Sequence, residues 1–116
     1  MLCAYAHNMI TMNYQQAKER AKVLKAVAHP MRILIVEALS KKDLCGRDLC
    51  ALGTISQSNV SRHLAMLKRA GIISDRRINK RVLYRLETPS VLETLEPAAK
   101  AVRKDIQRRM ERTKTV

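Results

Sequence analysis

The segment Ser56-Gln57-Ser58-Asn59-Val60-Ser61-Arg62 gathers short polar side chains and a guanidinium where a helical pattern begins. Gln and Asn amides pair two-pronged with adenine, Arg does the same with guanine, and Ser reaches base edges or phosphate. A helix N-terminus adds free N–H groups that favour phosphate. Further on, Arg76, Arg77, Lys80 and Arg81 crowd together, and a cationic cluster of this kind grips a phosphate backbone. Between residues 61 and 90, eight basic residues stand against two acidic ones. Gln57, Ser58, Asn59, Ser61 and Arg62 are therefore the candidates for reading bases or adjacent phosphates. Arg77, Lys80 and Arg81 are the candidates for holding the backbone.

A second chemistry belongs to the thiols. Thiolates select soft ions such as zinc, cadmium, lead and trivalent arsenic. Cys45 and Asp48 are three apart and share a face if they lie on a helix. Cys45 and Cys50 are five apart, about 140° around a regular helix, and cannot both grip one ion from it. Leu49-Cys50-Ala51-Leu52 reads as core, with Cys50 a small buried hydrophobe. Oxidation of Cys3/Cys45 or Cys45/Cys50 is an alternative use of the same sulfurs. His63 flanks the apolar stripe of its helix, where packing or a phosphate contact outweighs catalysis or metal binding. The sequence contains no Gly-rich phosphate loop, paired catalytic carboxylates or nucleophile–base pair, so it does not read as an enzyme.

The elements that must position these residues follow from composition and periodicity. A chain of 116 residues fits one domain. Its net charge of +13 points to nucleic acid. Hydrophobic content of 47% supports a core, and with no Trp, no Phe and three Tyr that core is aliphatic, which argues against a β-sandwich. The longest clear apolar block, Ile33-Leu34-Ile35-Val36, falls far short of the ~18 residues of a membrane span. The start carries neither the basic nor the apolar region of a signal peptide. An odd, widely spaced set of three cysteines argues for a reducing compartment and a cytoplasmic location.

Residues 1–11 read as an uncharged arm, and residues 12–116 as one DNA-binding and dimerisation unit. Helical spacing places Tyr14, Ala17, Ala21, Leu24 and Ala28 on one face of a first helix ending near His29. Pro30 opens a second helix with the stripe Met31, Leu34, Ile35, Ala38 and Leu39. A short helix over about 45–52 ends at Gly53, read as a left-handed cap. Ser56 caps a fourth helix whose stripe is Val60, Leu64 and Leu67, with Ser58, Arg62, Ala65 and Arg69 opposite and Gly71 at its end. The period then becomes two: strands over 73–77 and 82–86 flank a turn where Asn79 takes positive φ. Ser90 and Glu93 read as a capping box for a last helix. Its stripe is Leu95, Ala99, Val102, Ile106 and Met110, and Pro97 demands a kink or restart. The order is that of a winged helix-turn-helix, mainly α with a small β-hairpin. The last stripe is too long for one small domain to cover. It predicts a homodimer through the first and last helices, with two reading helices on a palindromic double-stranded DNA site.

Ala28-His29-Pro30-Met31-Arg32, the run from Asp43 to Cys50 and above all Ser56-Gln57-Ser58-Asn59-Val60-Ser61-Arg62-His63-Leu64 carry a resemblance. So do Leu67-Lys68-Arg69-Ala70-Gly71-Ile72-Ile73 and Tyr84-Arg85-Leu86. Over about residues 18–87 the chain resembles the ArsR/SmtB family of small dimeric winged-helix repressors. The resemblance implies a repressor of its own operon that leaves DNA when a ligand binds, usually a thiophilic metal or metalloid. Other members sense redox state or have no known ligand. Arsenite sensors of the family carry Cys-x-Cys-x-x-Cys, and Arg47 occupies the middle position here. Zinc, cadmium and lead sensors of the family use Cys-x-x-Asp, with a Cys and a His four residues later from the partner's arm. Cys45 and Asp48, with Cys3 and His7, match that spacing and suit a tetrahedral ion. A trivalent-arsenic site from Cys3, Cys45 and Cys50 after local unwinding is the alternative. The family's last-helix site is absent, because residues 98–116 contain Asp105 and Glu111 but no His. No organic cofactor is implied. The alternative function is a winged-helix regulator without a metal ligand, either a thiol redox switch or a constitutive binder.

Overall fold

Asn13 opens helix α1 (Tyr14–Val27) with a capping box: its side chain accepts from the Gln16 N–H, and the Gln16 side chain accepts from the Asn13 N–H. The structure is a computed structural model that describes residues 11–53 and 55–114. His29 caps α2 (Pro30–Leu39) through Nδ1, which accepts from the Met31 N–H at 3.0 Å, and Pro30 takes the first helical position. Strand β1 (Leu44–Cys45) leads directly into the short α3 (Gly46–Cys50). Helix α4 (Gln57–Arg69) starts at Ser56 and is followed by Gly71 at φ 77°. Strands β2 (Ile73–Ile78) and β3 (Arg81–Leu86) are joined through Asn79 at φ 57°, as its side chain type allows. A 3-10 turn (Pro89–Thr94) precedes α5 (Leu95–Lys114).

The architecture is mainly helical with a small sheet, as expected. The sheet, however, has three strands in the order β1-β3-β2, all antiparallel. The third strand escaped the reading of the sequence because two residues are too few to show a period. The core is aliphatic: Ile35, Val36, Leu49, Val60, Leu67 and Ile72 are sealed from solvent. Each such side chain contributes about 1.5–3 kcal/mol by leaving water.

Several local expectations are corrected. The stripe assigned to α1 does not face this core: Tyr14 and Leu24 are 80% and 50% exposed, while Ala26 and Val27 are buried. The helix meets the body with its last turn only. Leu34 is exposed on α2 and Val36 is buried in its place. Gly53 is not a left-handed cap. A Cβ there would lie 2.7 Å from the Met31 sulfur, so the end of the Met31 side chain would have to shift to admit one. Ser90 and Glu93 do not cap the last helix, because both lie inside the 3-10 turn. The helix restarts at Leu95, which puts Pro97 in the first turn, where its missing N–H breaks no hydrogen bond.

Helix α5 buries none of its residues. Val102, Ile106 and Met110 are 59%, 52% and 59% exposed, one turn apart along a single line. At about 1.5 Å per residue the helix is some 30 Å long. The radius of gyration is 18.8 Å and the extents 61 × 44 × 23 Å, against about 13 Å for a spherical chain of this size. No helix among the described residues is long and apolar enough to cross a membrane.

Candidate nucleic-acid interface

The Ser56 hydroxyl accepts from the Asn59 N–H at 3.3 Å and lies 3.1 Å from the Ser58 hydroxyl. This cap fixes the first turn of α4. Val60, Leu64 and Leu67 anchor one side of the helix in the core. Because residues three and four apart share a face, that anchoring turns Ser58, Arg62, Ala65 and Arg69 outward, and all four are exposed. Gln57, Asn59 and Ser61 are exposed as well. The surface proposed to read bases is thus presented by a rigid helix.

The hairpin is held against α4 by the Lys68–Asp75 ion pair at 2.9 Å. On the sheet's other face, Asp43 sits between Arg76 and Arg85, 3.0 Å from each. The Asp43 carboxylate holds the Arg85 guanidinium in its charged form and raises its pKa. These pairs are open to solvent, which screens them, so they add little to stability. They nevertheless decide availability, because Arg76 is engaged by Asp43 and is not a free cation at the wing tip. Arg77, Lys80 and Arg81 are exposed, and none is ion-paired among the described residues.

A cleft of about 490 Å³ lies where α3, α4 and the wing meet. It brings together Gln57 and Ser61 from α4, Lys80 and Arg81 from the wing, and Arg47, Cys45 and Asp48 from the start of α3. Ser58, Asn59, Arg62 and Arg77 do not line it; they belong to the outer surface beside it. Arg47 was not foreseen as part of this wall. Its sequence context is a helix start, and only the sheet pairing of β1 with β3 carries it toward the wing. Replacing Lys80 with alanine is expected to weaken operator and random DNA alike. It should also reduce the slope of log affinity against log salt by about one. Salt titrations by fluorescence anisotropy measure this, and an unchanged slope would remove the wing from the contact.

Cys45 and Asp48 do meet, although not through a shared helix face. Cys45 precedes the helix as its N-cap residue and Asp48 is the third residue of α3. The thiol lies 3.1 Å from Asp48 Oδ2, and the Cys45 N–H donates to the same oxygen at 3.4 Å. These two hydrogen bonds, the thiol's first, lower the Asp48 pKa and keep the carboxylate charged. Cys50 is half-buried, packs against the core and does not line the cleft. Among the described residues no three metal-binding side chains converge. Cys3 and His7 lie outside the described residues, as does nearly all of the arm over 1–11.

His63, on α4, is a packing residue. Its Nδ1 accepts from Arg32 Nε at 3.1 Å, and its ring lies 4.3 Å from that of His29. Burial first, then His29 and Arg32, lower its pKa.

Known proteins are similar to this chain in sequence and fold. The family described as "Bacterial regulatory protein, arsR family" matches residues 29–75. A transcriptional repressor SmtB homolog of Synechocystis sp. is 32% identical over 88 residues, 76% of this chain and 67% of that protein. The arsenical resistance operon repressor of Escherichia coli is 42% identical over 66 residues, 56% of each chain. The crystal structure of NolR from Sinorhizobium fredii superposes with a TM-score of 0.68 at 30% identity, covering 76% of this chain and 88% of that one.

Proposed function

Given that the chain belongs to the bacterial ArsR family of regulatory proteins, we propose that this DNA-binding transcriptional repressor is released from a palindromic operator by a thiophilic ion. The carrying observation is the cleft itself. It joins the first turn of α4, the free wing cations Lys80 and Arg81, and the Cys45–Asp48 pair within one concavity. A change at the thiol is thereby adjacent to the groups that hold DNA. The reading surface is Gln57, Ser58, Asn59, Ser61 and Arg62, and the backbone is held by Arg77, Lys80 and Arg81. Residues 12–116 act as one reading and dimerising unit in the cytoplasm, preceded by the arm over 1–11. The exposed stripes of α1 and α5 meet a second copy of the chain. The protein has no catalytic role.

Cys45 and Asp48 fit half of a soft-ion site. Cys45 supplies a sulfur and Asp48 a charged oxygen, already 3.1 Å apart. Cys3 and His7 from the partner's arm complete four donors of the types zinc, cadmium or lead take. An ion held by Cys45 and Asp48 would supply positive charge beside Lys80 and Arg81, and Cys45 would give up its thiol proton and with it the hydrogen bond to Asp48.

The test is anisotropy of the labelled promoter fragment with reduced protein, alone and with zinc, cadmium, lead or arsenite. One ion should release the DNA, and Cys45→Ser should bind DNA yet ignore that ion. If DNA is bound tightly and none of the four ions changes it, the metal reading is wrong. The regulator is then a constitutive binder or a thiol redox switch, which treatment with an oxidant would separate.

A further inference from the structure

Three polar side chains outside the cleft join the reading helix to the rest of the fold. Arg32, in the first turn of α2, donates from Nε to His63 Nδ1 at 3.1 Å and from Nη1 to the Ala26 carbonyl at 3.2 Å. One guanidinium therefore links the last turn of α1, the start of α2 and the middle of α4. The His29 ring packs on the His63 ring at 4.3 Å, and His29 Nδ1 caps α2 by accepting from the Met31 N–H.

The proton positions follow from these bonds. A guanidinium only donates, so His63 Nδ1 must carry a lone pair and its single proton sits on Nε2. The same holds for His29, whose Nδ1 faces a backbone N–H. Adding a proton to the His63 imidazole places it on Nδ1. That turns an acceptor into a donor aimed at another donor and creates a cation beside Arg32. We propose that His29, His63 and Arg32 form a proton-sensitive latch on the reading helix, opened by protonation of His63, so that acidification weakens DNA binding. This inference rests on the DNA-binding reading above.

The surroundings do not offset such a charge. Those felt by His63 are His29 and Arg32, both from the start of α2. From α1, the Ala26 carbonyl accepts from Arg32, while Lys22 and Lys25 are exposed. On other sides of α4, Arg47 and Asp48 of α3 line the cleft with Gln57 and Ser61, and Asp75 of β2 is paired to Lys68. Among the described residues no carboxylate is paired to the His63 ring to balance a proton. The sign follows: a histidine lowered in the latched state favours that state fully above its ordinary value near 6.5, and the advantage is lost as pH falls below it. Val60, Leu64 and Leu67 still anchor α4 in the core, so opening changes how the helix is held without unfolding it.

The test measures promoter affinity by anisotropy from about pH 7.5 to about pH 5.5 at constant ionic strength, metal-free and reduced. Linkage through one histidine gives an expected loss of about three- to tenfold. His63→Asn offers an oxygen to Arg32 without titrating and should give a flat profile. His29→Asn, a good N-cap, should retain a pH response. A flat wild-type profile, or a His63→Asn profile as steep as wild type, overturns the latch. Tighter binding in acid also overturns it, because His63 would then face phosphate. In the DNA-free protein, ¹⁵N NMR should find His63 Nδ1 unprotonated at neutral pH. The Arg62 and Leu64 amides should shift as that nitrogen gains its proton. A protonated Nδ1 at neutral pH refutes the latch even if the protein never binds the promoter.

Discussion

Replacing Ile106 with aspartate is expected to split the dimer and lower affinity for a palindromic operator by roughly 100-fold or more. Ile106 is at the middle of the Val102–Ile106–Met110 line, which is exposed among the described residues. A carboxylate there must be desolvated in an apolar interface with nothing to pair it. A linked pair of reading heads gains about 10²–10⁴ over one head by making the second contact intramolecular, and a monomer forfeits that gain. Because α5 buries nothing within its own chain, the isolated winged-helix body should keep its far-UV spectrum. Sedimentation and promoter anisotropy give the two readouts. A variant that remains dimeric and binds as tightly as wild type would show that this stripe has another use.

Arg62→Ala is expected to weaken specific binding by about 10- to 100-fold while changing random-DNA binding far less, as loss of a two-pronged guanine contact requires. Arg62 is exposed, is ion-paired to none of the described residues, and projects from a helix anchored by buried residues on either side of it, Val60 and Leu64. The helix backbone that carries Arg62 is already ordered, so docking costs the ordering of its side chain alone. Competition titrations against a scrambled duplex separate the two affinities. Equal losses on both duplexes would make Arg62 a phosphate contact.

The contrast between Arg62 and Arg76 shows where reading the sequence stopped. Both are arginines in a basic region. Arg62 shows its role locally, because its helix has a clear apolar side and the opposite side must be solvated. Arg76 depends on Asp43, 33 residues earlier, and on the pairing that puts both on one face of the sheet. Cys45 and Asp48 give a third case. Their three-residue spacing was enough to bring them together, yet it does so as a cap residue and its third neighbour, and not along a helix face.

What the sequence determined by itself is what depends on near neighbours. The helices, the turn at Asn79, the cap at Ser56, the solvated polar turn of α4 and the aliphatic inner face of that helix all arise from periodicity and from residues within one or two turns. Tertiary structure alone decided which stripes find a partner inside the chain. The apolar residues of α1 and α5 follow the same spacing as those buried, but α1 reaches the body near its C-terminal end and α5 buries none of its residues, so Leu24, Val102, Ile106 and Met110 remain exposed. It also decided that Arg76 is occupied while Lys80 and Arg81 are free, that Arg47 joins their cleft, and that Arg32 holds His63. Each of these depends on contacts between residues far apart in sequence, and no local pattern encodes a distance across the fold.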